Sequence, residues 1–435
     1  MAPGLDRSGL APGHSPYPVG QGRARCGLRH SKPGPGHGEK LGAGSGPVGA
    51  RNRRPGRRSG ALMFMNFWYP AEESRSLTDK PLKVQMLGLW FVLWRDREGR
   101  ARGVQNTCTH RGGSLGDGKI VGDCIQCPYH GWKFNGAGEC ERIPSLGPLE
   151  KVPTRARIDA YPVEERYGLV FVFLGDLPES ERPTIMPNNE YGQPGWRSLS
   201  MRYRWQTNFV RLVENQSDPS HIEYVHAGFG IAGKSTNYEV PSINVEETAW
   251  GAGAMVVFYS PELPDADMKK LQPEGRNESG SGYHGAASTW TRVNFSSTNH
   301  MHIYLYAVPR DEVDLEIFLV MQRNCMLEDK YDENFLKRMA VAVEEDRIVI
   351  EKLDPQIPSV DAIGEFIVPA DDVIVSYRQR LQDWGRRGWR LDCDTLRKNR
   401  GRVAYSVPSP ARRQDPANWS VTAAPVVRPA SGLRP

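Results

Sequence analysis

Between residues 329 and 353, apolar side chains recur at Phe335, Met339, Ala342 and Val343, and again at Val349, Ile350 and Leu353. This is the i, i+3, i+4 spacing of a helix that buries one face. Glu344 lies near Lys337, Arg347 and Glu351 on the polar side, whereas Asp346 falls on the apolar stripe. A carboxylate turned toward a core is costly unless it is paired or bound to a metal. Asp346 is therefore either a salt-bridged residue at the edge of the helix or a metal ligand. A period of two marks Val313, Leu315, Ile317, Leu319 and Met321 as one face of a strand. Pro309 to Glu312 supplies the turn before it, and His302, Tyr304 and Tyr306 share a face of a strand paired with it. Shorter strands are predicted at Gln85–Trp94 and Leu169–Phe173. The predicted class is α+β: short strands first, then an antiparallel sheet with helices packed against it.

A chain of 435 residues exceeds one small folding unit. Residues 1–62 carry eleven Lys or Arg against two acidic residues, are rich in Gly and Pro, and contain almost no apolar run. Such a segment cannot build a core, and it lacks the apolar stretch of a signal peptide. It reads as a disordered tail or a mis-assigned start, with Met63 and Met65 as candidate start residues. Its charge of +9 leaves −4 of the overall +5 for the remaining chain, so the basic balance gives no reason to expect a nucleic-acid partner. Three further segments are expected: a β domain at 63–165, a mixed domain at 166–405, and a loose Pro- and Arg-rich tail at 406–435.

Two short clusters carry the chemistry of the β domain. Cys108-Thr-His110 and Cys127-Pro-Tyr-His130 form a C-x-H-x16-C-x-x-H pattern, one thiolate and one imidazole per loop. In a Rieske-type two-iron two-sulfur cluster one iron takes both cysteines and the other both histidines, so each loop gives one ligand to each iron. Neutral imidazoles in place of two thiolates raise the potential, from about −400 mV for plant ferredoxins to roughly −150 to +300 mV. A single Cys2His2 zinc would use the same donors, but zinc loops more often space two cysteines two to four residues apart. Gly112, Gly113, Gly116 and Gly118 supply turns and close backbone approach, and Cys124 reads as a small buried side chain.

Downstream, Glu214-Asn215-Gln-Ser-Asp218-Pro-Ser-His221 continues to His226, an E-x3-D-x2-H-x4-H pattern. Two histidines and one carboxylate on one face, with positions open opposite, suit a non-haem Fe(II). Five residues advance a helix by about 500°, leaving His221 and His226 roughly 140° apart, so the helix is expected to end or bend near Pro219 to Tyr224. From about Asn66 onward the chain resembles the alpha subunit of a Rieske non-haem iron oxygenase, in the manner of ring-hydroxylating oxygenases and O-demethylases. Gly113 or a neighbour and Tyr129 stand where respiratory Rieske proteins carry additional cysteines. The resemblance implies a Rieske domain followed by a helix-grip catalytic domain, and Asp346 as the third ligand beside His221 and His226. It further implies an amide near the iron at Asn215, and a homotrimer in which Asp218 bridges His130 of one subunit and His221 of the next. Glu214 is assigned no chemistry.

The remaining signals are weaker. His284, His300 and His302, like Trp290 and Asn294, read as satisfied strand or loop residues rather than pocket residues. Gly280 to Gly285 is a formal G-x-G-x-x-G, but without a preceding strand or following helix it reads as a flexible loop. Trp384, Arg386, Arg387, Trp389 and Arg390 read as a packed surface helix, with reductase docking as the lesser alternative. Seven cysteines give no disulfide framework, and no stretch is apolar enough to span a membrane; a cytoplasmic location is expected. No flavin or nicotinamide motif is evident, so the resemblance implies a separate NAD(P)H-dependent reductase, with or without a ferredoxin. The expected reaction uses O2 to hydroxylate or demethylate an organic, aromatic substrate; the alternatives are a steroid or polycyclic hydroxylase and a non-catalytic Rieske electron carrier.

Overall fold

The computed structural model describes residues 62–226, 240, 243–259, 276–361 and 364–427. The basic tail expected at 1–62 lies, but for Leu62, outside them.

The first part of the fold contains β1 (Phe67–Glu73), β2 (Leu82–Met86), β3 (Leu89–Arg95), β4 (Ala101–Gln105), β5 (Lys119–Val121), β6 (Cys124–Gln126), β7 (Lys133–Phe134), β8 (Cys140–Arg142), β9 (Ala160–Tyr161), β10 (Val163–Arg166) and β11 (Leu169–Leu174). They form sheets in the orders β2-β3-β4-β9, β5-β6-β7-β8 and β1-β11-β10. β11 is apolar and buried at every position, as suits a central strand covered on both faces. The boundary expected at 165 therefore falls inside a sheet, because β11 pairs with both β1 and β10. The expected strand Gln85–Trp94 is instead a hairpin. Leu87 and Gly88 both take positive φ, at 52° and 77°, and turn β2 back onto β3. Leu87 is fully buried and apolar, so nothing in its side chain signals a turn.

The second part is a seven-stranded antiparallel sheet. Its strands are β12 (Arg197–Trp205), β13 (Glu246–Glu247), β14 (Gly251–Tyr259), β15 (Arg276–His284), β16 (Ser288–Asn294), β17 (His300–Pro309) and β18 (Leu315–Arg323), in the order β12-β18-β17-β16-β15-β14-β13. β17 and β18 pair as the alternation predicts, with Tyr304 opposite Val320. Val313 lies in the turn rather than on the strand, and β18 is buried on both faces. Gly280 to His284 is not a loop but the end of β15, with Gly280 and Gly282 paired to β14 and β16 and Gly285 in the turn beyond. Its sequence lacks apolar alternation because its glycines serve as a floor. A Cβ at Gly282 or Gly253 would come within 2.8 or 2.2 Å of the Trp290 ring.

Helices α1 (Phe209–Ser217) and α2 (Ile222–Val225) follow β12; α3 (Asp332–Ile350) and α4 (Asp372–Arg386) follow β18. On α3, Phe335, Met339, Ala342, Val343, Asp346 and Ile350 are buried. Val349 and Leu353, expected on the stripe, are exposed, since one lies off the buried arc and the other beyond the helix end. Trp384 and Trp389 are buried, so the basic aromatic cluster is a packed helix end.

Residues 406–427 are not loose. Ser406, Val407, Ser409, Arg412, Val421 and Ala424 are buried. Asp159, fully buried beside β9, accepts hydrogen bonds from the Ser406 hydroxyl, from Ser409 Oγ at 2.7 Å and from Arg412 Nη2 at 2.6 Å. Proline and arginine content suggested disorder, whereas this Arg412 completes a buried ion pair.

Candidate cluster and metal centres

The two loops at the tip of the first part close in the same way. Cys108 N donates to Gly113 O at 2.8 Å and Gly112 N to Cys108 O at 3.0 Å; Cys127 N donates to Trp132 O at 2.8 Å and Gly131 N to Cys127 O at 3.1 Å. Gly112 and Gly131 take positive φ, at 70° and 72°, which L side chains rarely adopt. The loops bring the four predicted donors together. The His110 and His130 rings lie 4.4 Å apart between centroids, and His110 stacks on Trp132 at 4.6 Å. Cys108 and Cys127 are buried, and desolvation pushes the Cys108 thiol up to about 12. A buried thiol pair gains from a cation that displaces its protons to solvent.

Two observations test whether an iron-sulfur group fits here. His110 Nδ1 is buried and has no hydrogen-bond partner, as a ring nitrogen reserved for a metal would be. Gly113 leaves a cradle: a Cβ there would come within 2.8 Å of Cys127 Sγ. The donors therefore suit the cluster. His130 and Tyr129 are exposed at the tip, while Cys124 is buried on β6 as expected, its thiol 3.0 Å from Glu141 Oε2.

The second centre is built by a break in a helix. Asn208 caps α1, accepting from Val210 N at 3.1 Å. Pro219 disfavours helical geometry in the residue before it, and Asp218 accordingly takes φ −95° and ψ 116°. The chain restarts as α2, with His221 and His226 flanking it. This displacement turns both imidazoles toward Asp346 on α3. His226 Nε2 lies 3.4 Å, and His221 Nε2 3.6 Å, from Asp346 Oδ1. Among the described residues, these three form a group whose potential ligand atoms all lie within 4.8 Å of one another.

Hydrogen bonds set the tautomers. His221 Nδ1 donates to the Asp218 carbonyl at 2.6 Å, and His226 Nδ1 to Glu345 Oε2 at 3.1 Å. Each Nε2 is thereby left as the lone-pair donor. Desolvation holds His221 below the ordinary imidazole range, so it is neutral, and raises the Asp346 carboxyl against the pull of both histidines. Two imidazole Nε2 atoms facing a desolvated carboxyl form a site that a cation would complete, and the donor set suits a non-haem iron.

Two residues at this site were not predicted. Gln216 Nε2 donates to Asp346 Oδ2 at 3.0 Å, beside the predicted Asn215, whose Nδ2 lies 3.3 Å from Oδ1. Glu345 precedes Asp346, and adjacency was the one available signal for it. Glu214, left without a role, is buried and pairs with Arg211 and Arg378.

Two family models match the stretches of chain that carry these residues. Residues 67–153 match the Rieske [2Fe-2S] domain, and residues 205–387 match the vanillate O-demethylase oxygenase C-terminal domain. The chain belongs to the Rieske oxygenases. The iron-sulfur subunit TsaM1 of the toluene-4-sulfonate monooxygenase system of Comamonas testosteroni is 27% identical, over 68% of this chain and 90% of its own. Aminopyrrolnitrin oxygenase PrnD of Pseudomonas fluorescens is 37% identical over 37% of this chain and 45% of its own. NdmA of Pseudomonas putida CBB5, solved with caffeine, superposes with a TM-score of 0.61 at 25% identity, over 73% of this chain and 90% of the other. This Rieske oxygenase is thus an oxidoreductase, with an all-β Rieske domain ahead of an α+β catalytic domain. Among the described residues no helix is long and apolar enough to cross a membrane.

The remaining histidines among the described residues are satisfied elsewhere. His302 Nδ1 meets Glu190 at 3.0 Å, His300 Nδ1 meets Asn294 at 2.8 Å, and His284 Nε2 donates to Thr184 O at 2.8 Å.

Proposed function

We propose that this Rieske oxygenase holds a two-iron two-sulfur cluster on Cys108, His110, Cys127 and His130, and a mononuclear Fe(II) on His221, His226 and Asp346. It would hydroxylate, or O- or N-demethylate, an organic substrate of aromatic class. The observation that carries this reading is the convergence of two Nε2 lone pairs and one desolvated carboxylate. The iron, when bound, supplies activation of dioxygen with electrons delivered from the cluster. The chain's own part is to orient both imidazoles through Asp218 O and Glu345, to keep Asp346 out of water, and to present His130 at an exposed tip.

Electrons come from a separate NAD(P)H-dependent reductase, with or without a ferredoxin. Asp218 lies next to the bond that orients His221 and is suited to bridge to His130 of a neighbouring subunit. That arrangement requires a head-to-tail ring, which a homotrimer closes. Six free cysteines among the described residues fit a reducing, cytoplasmic setting, and no nucleic-acid or membrane partner is invoked. Support for an aromatic substrate comes from the vanillate O-demethylase domain match and from the relatives named above.

Iron and acid-labile sulfide per chain on anaerobically reconstituted protein test the reading. Roughly three irons with two sulfides are expected. Two irons with two sulfides would leave an electron carrier, and zinc without sulfide would remove both assignments. In Asp346→Ala about one iron per chain should be lost while the cluster's visible spectrum persists.

A further inference from the structure

Asn215 and Gln216 are successive residues of α1, about 100° apart around the helix, and their amides straddle the Asp346 carboxylate from α3. Gln216 Nε2 donates to Asp346 Oδ2 at 3.0 Å and to Asn215 Oδ1 at 2.8 Å; Asn215 Nδ2 donates to Asp346 Oδ1 at 3.3 Å. A primary amide has two N–H groups, and both of Gln216's are used. Reversing that amide would set its carbonyl against a carboxylate and another carbonyl, so the partners fix its orientation. The two carboxylate oxygens are thereby made unlike. Oδ1 faces both imidazole Nε2 atoms, while Oδ2 is turned to Gln216. The Asp346 side chain is only 7% exposed, so water does not exchange these roles.

A carboxylate can bind a metal through one oxygen or both, and outer-shell hydrogen bonds orient it. We infer that Gln216 is a positioning residue that keeps Asp346 a one-oxygen ligand, and so sets how many positions at the metal remain open to exogenous ligands. The inference rests on the mononuclear iron proposed above. Removing the amide frees Oδ2 to chelate, which closes one position without removing a donor.

The test uses the full holoprotein with its cluster oxidised, and nitric oxide as the probe. Wild type should form an iron-nitrosyl adduct with a high-spin electron paramagnetic resonance signal. Gln216→Leu should keep its iron and its cluster spectrum, yet bind nitric oxide roughly tenfold more weakly, with altered rhombicity, on the scale of outer-shell changes at metal sites. An unchanged affinity and spectrum would overturn the inference, even if the melting temperature fell. Loss of the mononuclear iron from Q216L with the cluster intact would also overturn it, because a freed oxygen adds a donor. If the leucine variant does not fold, Gln216→Met carries the same test. Wild-type protein that takes up no mononuclear iron would instead sink the underlying iron assignment.

Discussion

Asp346 shows what a single residue can reveal before a structure exists. Its place on an apolar helical stripe left two readings open, a salt bridge or a metal site, and the structure puts it beside His221 and His226. Gln216 was not legible in the same way. A polar residue next to Asn215 has no periodic signature, and its role depends on a carboxylate 130 residues away. Asp218 is a sharper test of mechanism. Asp218→Ala keeps the backbone carbonyl that orients His221, so both metals should stay bound while turnover falls by about 100-fold or more, as when a positioned group is lost. Normal turnover, measured with reduced partner protein and substrate, would rule out the bridge. Glu190 offers a pH test away from the chemistry. Burial alone would raise its carboxyl, yet hydrogen bonds from His302 and Tyr304 outweigh burial and hold it at about 2. A depressed carboxyl stabilises the fold above its unfolded value and loses that contribution as pH falls, here from about 4.5 toward 2. Glu190→Gln should cost about 1–2 kcal/mol near neutrality and flatten the acid limb of the melting profile.

At the scale of elements, the break between α1 and α2 follows from local chemistry that the sequence spells out. Two histidines five apart cannot share a helical face, and Pro219 supplies the interruption that brings them together. The hairpin at Leu87 and Gly88 and the glycine-rich β15 were missed for a common reason: each is fixed by neighbouring strands rather than by its own pattern. The C-terminal segment was misread because composition cannot show that Arg412 meets a buried Asp159. Arg412→Ala should strand that carboxylate and cost about 3–5 kcal/mol, read as a shift in the urea midpoint. The double variant Asp159→Asn with Arg412→Met should recover much of the loss, since removing both charges removes the desolvation problem. Equal midpoints for wild type and Arg412→Ala would mean that the clasp contributes nothing.

For the whole molecule, the decisive question is whether the two centres that act together lie in one chain or in two. His130 is exposed at the tip of the Rieske domain, whereas His221 and Asp346 lie enclosed between helices of the catalytic domain. In the proposed ring of subunits each tip would serve its neighbour's iron. Mixed oligomers separate the alternatives. A His130→Ala variant, lacking a competent cluster, and a His226→Ala variant, lacking a competent iron, should each be inactive alone. Co-expressed in equal amounts, they should regain roughly one quarter of wild-type turnover, because one junction in four of a randomly mixed ring joins an intact cluster to an intact iron. Transfer within a chain would give none, since every chain then carries a defect. Activity that returns on co-expression but not on mixing pre-formed oligomers would further require the ring to be stable, and sedimentation of the same samples should give a mass three times that of one chain.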